Sequence, residues 1–223
     1  MKHIHQSNHH SKNDMNCDIH ILSIPGRDSW LDEAVDSLSE EPVNIFLVEG
    51  VIGHSGKGRA KGFSKGNSKY VSFMDDDDLV EKGAVRKLID LLEDTPEAVG
   101  AFSLSDHMDA DGNITGSFRK SEQIPELSEW KETDAQRVHQ LIVYRREFVE
   151  KYLHIIEQEN RHPDIVLNRL VGSHGPFVCL REVGYYWRIH DKCSHKNHKK
   201  PSKFLSNGRS KDLKKMALGT YFN

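Results

Sequence analysis

The sequence predicts an α/β fold: one mostly parallel sheet flanked by helices, in a single domain. Three observations predict it. Short apolar, β-branched runs alternate with segments of helical period through the first half of the chain. The runs stop at glycine, proline or aspartate, residues that favour turns and helix entrances. The chain has 223 residues, enough for one sizeable core.

Each element follows in turn. "DIHILSI" (18–24) is apolar and stops at Pro25-Gly26, so it reads as a buried strand. "SWLDEAVDSLSE" sets Leu31, Ala34, Val35 and Leu38 at helical spacing, with Ser29 as the expected cap. "VNIFLVEG" (43–50) is a second strand stopped by Gly50. "GRAKGFSKGNS" is a short helix weakened by its glycines. "KYVSFM" (69–74) is a third strand. "EKGAVRKLIDLLED" aligns Val85, Leu88, Ile89 and Leu92 on one helical face. "AVGAFSLSDHMDADGNI" then gives a strand and a turn at Asp111-Gly112.

In a parallel sheet covered by helices, ligands bind beyond the carboxyl ends of the strands. Pro25-Gly26-Arg27, Glu49-Gly50 and Asp75 to Asp78 each follow a strand directly. The fold therefore predicts that they meet at one edge. Four adjacent aspartates repel one another and need positive charge among them to stay ionised. Arg27, Arg59, a helix N-terminus or a metal ion could supply it. Capping of the following helix is the plain alternative reading of the run.

Composition narrows the partners. Formal net charge is −3 with 29% charged residues, so the whole chain carries no strong bias toward polyanions. No apolar run approaches the roughly 20 residues of a membrane span. The start lacks the apolar core of a signal sequence. Cys17, Cys179 and Cys193 are odd in number and widely spaced, which fits a reducing, cytoplasmic setting. Residues 1–16 are polar and His-rich and read as a flexible tail. Residues 17–197 read as the folded domain, and residues 198–223 as a basic C-terminal tail.

The segment "GRAKGFSKGNSKYVSFMDDDD" resembles the nucleotide-sugar half of family 2 glycosyltransferases with the GT-A (Rossmann-like) fold. Arg59 and Gly62 stand on the short helix, and "YVSFM" leads into Asp75-Asp76-Asp77-Asp78. "SIPGR" resembles the first nucleotide-contacting loop, and "LVEG" the strand whose terminal acid holds the base. "VHQLIVYRREFVEKY" resembles the acceptor-side strand and its RRE turn. "HPDIVLNRLVGSHG" resembles an E-D-x-x-L-x-x-R-L segment, with Pro163-Asp164 in place of the Glu-Asp pair. "GYYWRIHDKCSHK" resembles the closing loop. The match runs in order from about residue 18 to about residue 195, which makes it more specific than any single motif. The family's Asn after the helix arginine is Ala60 here.

The resemblance implies a hexosyl- or pentosyltransferase that moves sugar from a nucleotide-sugar donor, a UDP-sugar, to an acceptor hydroxyl. It implies Mn²⁺ or Mg²⁺ held by Asp77, with Asp75 and His190. Pro25, Arg27, Glu49, Arg59, Asp75 and Arg188 are the implied donor-binding residues, with Arg188 on phosphate or in an ion pair with the aspartates. Asp76 and Asp78 are left to structure. Asp164 is the implied base, its other reading being an N-cap. His190, Cys193, His195 and His198 form a second, less favoured reading as a zinc site. The acceptor is a glycan or small molecule; the basic tail offers a hydroxymethylated base in DNA as the alternative. A non-catalytic nucleotide or nucleic-acid binding module on the same fold is the rival class.

Overall fold

The computed structural model describes residues 16–50, 53–117, 124–160 and 162–191. The expected zinc ligands Cys193, His195 and His198, the basic tail and most of the N-terminal tail lie outside these residues.

The α/β alternation appears as expected. Strand β1 (Cys17–Ser23) leads through helix α1 (Asp28–Ser37) to β2 (Val43–Glu49). Helix α2 (Ser55–Phe63) leads to β3 (Tyr70–Asp75), a two-residue β4 (Leu79–Val80) and helix α3 (Ala84–Asp94). Strands β5 (Gly100–Met108) and β6 (Ile114–Ser117) form a hairpin through the expected turn, where Gly112 has φ +88°. Then come β7 (Ile142–Arg145), short helices α4 (Arg146–Val149) and α5 (Leu153–Ile156), α6 (Pro163–Gly172) and β8 (Phe177–Arg188).

The strands form one eight-stranded sheet in the order β2-β1-β3-β7-β5-β8-β4, with β6 on β5. Strand β1 is parallel to β2 and β3, and β5 is parallel to β8. Strand β7 is antiparallel to both β3 and β5, so it joins the two parallel groups without changing their common direction. The sheet is therefore mixed, yet the carboxyl ends of β2, β1, β3, β5 and β8 all reach one edge. Helices pack on both faces. One core cluster, including Phe63, Phe73, Phe102, Val166 and Leu170, lies toward α2 and α6; another, including Ile21, Ala34, Val85, Leu88 and Tyr185, lies toward α1 and α3. Burial on both faces explains why β1 shows no exposed polar face, Asp18 and His20 being buried along with Ile19, Ile21 and Leu22.

Several local details differ from the sequence expectation. Ser29 is not the cap of α1: the helix begins at Asp28, Arg27 holds the cap position, and no side-chain cap bond forms. Residues 184–188, the start of the segment expected as the closing loop, belong to the twelve-residue strand β8. The RRE turn lies at the opposite edge from the aspartates, because β7 runs antiparallel to β3. There Arg145 donates to Leu92 O (2.6 Å) and Ala98 O (2.8 Å), closing the end of α3. Arg146 donates to Phe63 O (3.2 Å) and Lys65 O (3.2 Å), closing the end of α2, and pairs with buried Asp18 at 2.5 Å. Cations suit a helix C-terminus, where carbonyls lack partners.

Candidate active site

The sheet carries the aspartate run to its carboxyl edge, and the four side chains diverge. Asp76 is 1% exposed; its Oδ2 accepts from Ile24 N at 2.5 Å and its Oδ1 from Arg27 at 3.0 Å. Asp78 is 2% exposed; its Oδ2 accepts from the Tyr185 hydroxyl (2.7 Å) and its Oδ1 from Arg188 N (2.8 Å). These two fasten β3 to the β1–α1 loop and to β8. Asp77 accepts from Arg27 at 2.6 Å and stands 2.8 Å from His190 Nε2. Asp75 is the open member: its side chain is 42% exposed, and it accepts from Arg59.

Arg27 thus supplies the cation that the run requires, bridging Asp76 and Asp77 from the end of β1. Local sequence explains its reach. Pro25 and Gly26, with Gly26 at φ +86°, turn the chain so that Arg27 comes back over the edge. Arg59 is buried on α2, donates to Met74 O at 3.0 Å, and lies 4.2 Å from the Phe73 ring centre. Gly62, one turn further along α2, lets the helix approach β1: an added Cβ would stand 2.2 Å from the His20 ring. Pro25 and Glu49 are exposed at the same edge.

Burial works against ionisation of this cluster. It raises Asp76 to about 6, against the hydrogen bonds from Ile24 and Arg27. Burial and the neighbouring charge of Asp75 raise Asp77, while Arg27 and His190 pull it back. Burial and the charges of Asp77 and Asp75 push Asp78 well up. Added positive charge would relieve all three.

Carboxylate oxygens of Asp75, Asp77 and Asp78 lie within 4.8 Å of one another. Hard oxygen donors with an adjacent imidazole suit Mg²⁺ or Mn²⁺. Asp78, left to structure by the sequence reading, joins this set, although both its oxygens already accept hydrogen bonds. His190 is buried, and its ring centre lies 4.5 Å from that of Trp30 on α1.

Arg188, expected on phosphate or in an ion pair with the aspartates, is held by the backbone of the aspartate loop and by Glu33. It is 1% exposed and turned inward. Its guanidinium donates to Asp77 O (2.7 Å), Ala110 O (2.9 Å) and Glu33 Oε2 (2.5 Å), and sits 5.5 Å from the Trp30 ring centre. It holds the backbone of the aspartate loop, with Glu33 as its carboxylate partner. Glu33, Trp30 and Tyr185 carry no local signal; only their contacts across the fold reveal them.

Asp164 lies in the first turn of α6, directly after Pro163, and is half-buried. His162, not Asp164, takes the cap position. A carboxylate there is favoured by the helix dipole. Its charge is felt by buried Tyr144, whose hydroxyl is pushed well up by burial first and Asp164 second. Arg59 acts on the same hydroxyl in the opposite sense.

No helix among the described residues is long and apolar enough to cross a membrane. A search of curated proteins found no match. Among solved structures the chain is similar to S. aureus TarS 1–349 in complex with UDP, with TM-score 0.59 and 12% identity over 78% of this chain and 61% of that one. The same protein in complex with UDP-GlcNAc gives TM-score 0.59 and 11% identity over 82% and 61%. S. aureus TarS without that boundary gives TM-score 0.58 and 13% identity over 78% and 37%. The chain therefore spans about six-tenths of the TarS 1–349 chains, and at these identities the likeness concerns the fold. A family model described as "Glycosyl transferase family 2" matches residues 28–153.

Proposed function

The chain belongs to glycosyl transferase family 2, and from that premise we propose that it transfers a sugar from a UDP-sugar to an acceptor hydroxyl. One observation carries the reading. Arg27, Arg59, three metal-capable carboxylates and His190 converge at the carboxyl edge of the sheet, where α/β folds bind nucleotides. The TarS structures with UDP and UDP-GlcNAc support the choice of donor.

In this reading Pro25, Arg27 and Glu49 border the nucleotide, and Arg59 holds Asp75 beside it. Asp77 and Asp75, with Asp78 and His190, would hold Mn²⁺ or Mg²⁺. Such an ion stabilises negative charge on the departing diphosphate. Asp164 accepts the proton of the acceptor hydroxyl as that oxygen attacks the anomeric carbon. Its half-buried place on α6, beside the element that carries Arg59, supports this role. A cytoplasmic setting belongs to the same proposal and rests on the odd, widely spaced cysteines. The DNA alternative rests on the basic tail, outside the described residues.

The test is incubation with a panel of UDP-sugars and Mn²⁺ while following UDP release. Slow donor hydrolysis, lost in excess chelator, supports a metal-dependent transferase. Tight nucleotide or DNA binding with no turnover of any donor would instead favour a binding module.

A further inference from the structure

A second group of side chains stands at the same edge, and only one of them, Tyr185, also holds an aspartate. Strand β5 brings Ser105 and His107 there, and β8 lies beside it with Tyr185 and Trp187. Register pairs Ser105 with Tyr185 and His107 with Trp187, and strand alternation puts all four on one face. Because β7 is antiparallel, its start reaches this edge, and the chain entering it supplies His139 and Gln140. The ring centres of His107 and His139 lie 5.4 Å and 5.7 Å from that of Trp187. The cluster abuts the aspartates through Tyr185, whose hydroxyl donates to Asp78 and accepts from Asp75 N at 3.5 Å.

Two atoms in this group are conspicuous. Gln140 is 7% exposed and Ser105 is 1% exposed. Among the described residues, neither Gln140 Oε1 nor Ser105 Oγ has a hydrogen-bond partner. Buried polar atoms are ordinarily satisfied, because leaving one unmade costs its full desolvation. The Trp187 indole and the His107 and His139 imidazoles are half-buried. Half-buried aromatic rings with a few unpartnered polar atoms at the same edge are the make-up of a small-ligand site.

We propose that Ser105, His107, His139, Gln140 and Trp187 form the acceptor subsite, and that it takes a neutral polyhydroxylated unit, a sugar or sugar alcohol. The proposal rests on the glycosyl-transfer reading above. Gln140 Oε1 can only accept, so it suits a hydroxyl donor. Ser105 and the imidazoles can donate or accept, and the indole packs against C–H groups of the ligand. None of the five is lysine, arginine or a carboxylate, so the group offers no fixed charge to a phosphate backbone. That chemistry favours a neutral polyol over a base in DNA. In the transfer, the acceptor oxygen bonds to the anomeric carbon as the bond from that carbon to the diphosphate oxygen breaks. The acceptor proton passes to Asp164, and the electron pair of the broken bond leaves with the diphosphate.

The experiment offers the full chain a panel of UDP-sugars with Mn²⁺. The acceptors are sorbitol, methyl glucoside, methyl N-acetylglucosaminide and a duplex carrying hydroxymethylcytosine, with products read by mass spectrometry. The expected result is sugar on at least one neutral polyol. Gln140→Leu and Trp187→Leu should each raise the acceptor KM about tenfold or more, with the Kd for UDP held within about twofold. Gln140→Glu, which keeps an accepting oxygen, should recover most of the loss. His107→Asn gives an independent reading should a larger change fail to fold. Sugar on the duplex alone, sugar on no acceptor while donor hydrolysis proceeds, or a UDP Kd that rises in step with the acceptor KM overturns the subsite. A parent chain that neither binds nor hydrolyses any donor overturns the glycosyl-transfer reading, and the subsite falls with it.

Discussion

His190 Nε2 lies 2.8 Å from Asp77 Oδ2, although 113 positions separate the two residues in the chain. Asp77 sits between this imidazole and the Arg27 guanidinium, while its neighbour Asp76 is turned into the structure. The two aspartates should therefore respond differently to the same change. Asp77→Asn, which weakens the Arg27 pair as well as removing a candidate metal ligand, should abolish UDP release from a donor and lower stability by about 1–3 kcal/mol. Asp76→Asn weakens the same buried pair at a similar cost in stability but should leave UDP release measurable. Urea denaturation and a UDP-release assay on both variants check this; the reverse pattern would mean that the register of the metal ligands has been misassigned.

Asp164→Asn should separate transfer from donor binding. Loss of a general base costs about 10²–10⁴-fold in rate. Calorimetric titration with UDP should give the parent's Kd, since the carboxylate acts on the acceptor. Weakened UDP binding together with a lowered melting temperature would instead assign Asp164 a structural role in the first turn of α6.

The buried Arg146–Asp18 pair lies at the edge opposite the candidate site. Arg146→Met should cost about 3–5 kcal/mol, because it strands a buried carboxylate. Asp18 also accepts from Ser68 N (2.8 Å), Ser68 Oγ (2.7 Å) and Asn44 (2.8 Å), so its charge stays partly compensated. The double variant Asp18→Asn, Arg146→Met should lose less than the sum of the single losses. Additive losses in urea melts would show that the pair is not coupled.

His20 gives the fold a pH dependence of known sign. Burial first, and then the Arg59 charge, hold its imidazole well below the ordinary 6.5. The folded state keeps His20 neutral, whereas the unfolded chain takes up a proton below about 6.5. The unfolded state then binds more protons, so stability is present above that value and is lost as pH falls toward the depressed folded value. The contribution is about 1.4 kcal/mol per pH unit. His20→Phe keeps a ring against Phe63 and Phe73 and removes the titration. Its stability relative to the parent should improve steadily from pH 6.5 downward; parallel stability curves for the two proteins would refute the assignment.

Much of the fold was legible because its signals are local. The apolar runs at β1, β2 and β3 and the four-residue face of α3 are patterns of period two or 3.6 that solvent exclusion enforces within one element. The D-x-D-D run announced an anionic site for the same reason: adjacent carboxylates need a nearby cation whatever the tertiary structure. Strand β8 was harder to see. Its outward positions alternate imperfectly, and two register shifts against β5 break the period.

Arg188 and the RRE turn show where sequence stops. An arginine near an acidic run can meet phosphate or pack inward, and nothing within a few residues distinguishes the two. The pairing of β8 with β5 decides it, by setting Arg188 opposite Met108 and within reach of Asp77 O and Glu33. The insertion of β7 between β3 and β5 likewise sends Arg145 and Arg146 to the far edge and delivers Gln140 to the near one. The sequence by itself determined the strands and helices of the first half and that carboxylates gather at strand ends. Tertiary structure alone decided which cation meets which carboxylate, because a side chain's partner depends on strand order and register, and these are long-range properties that no local period encodes.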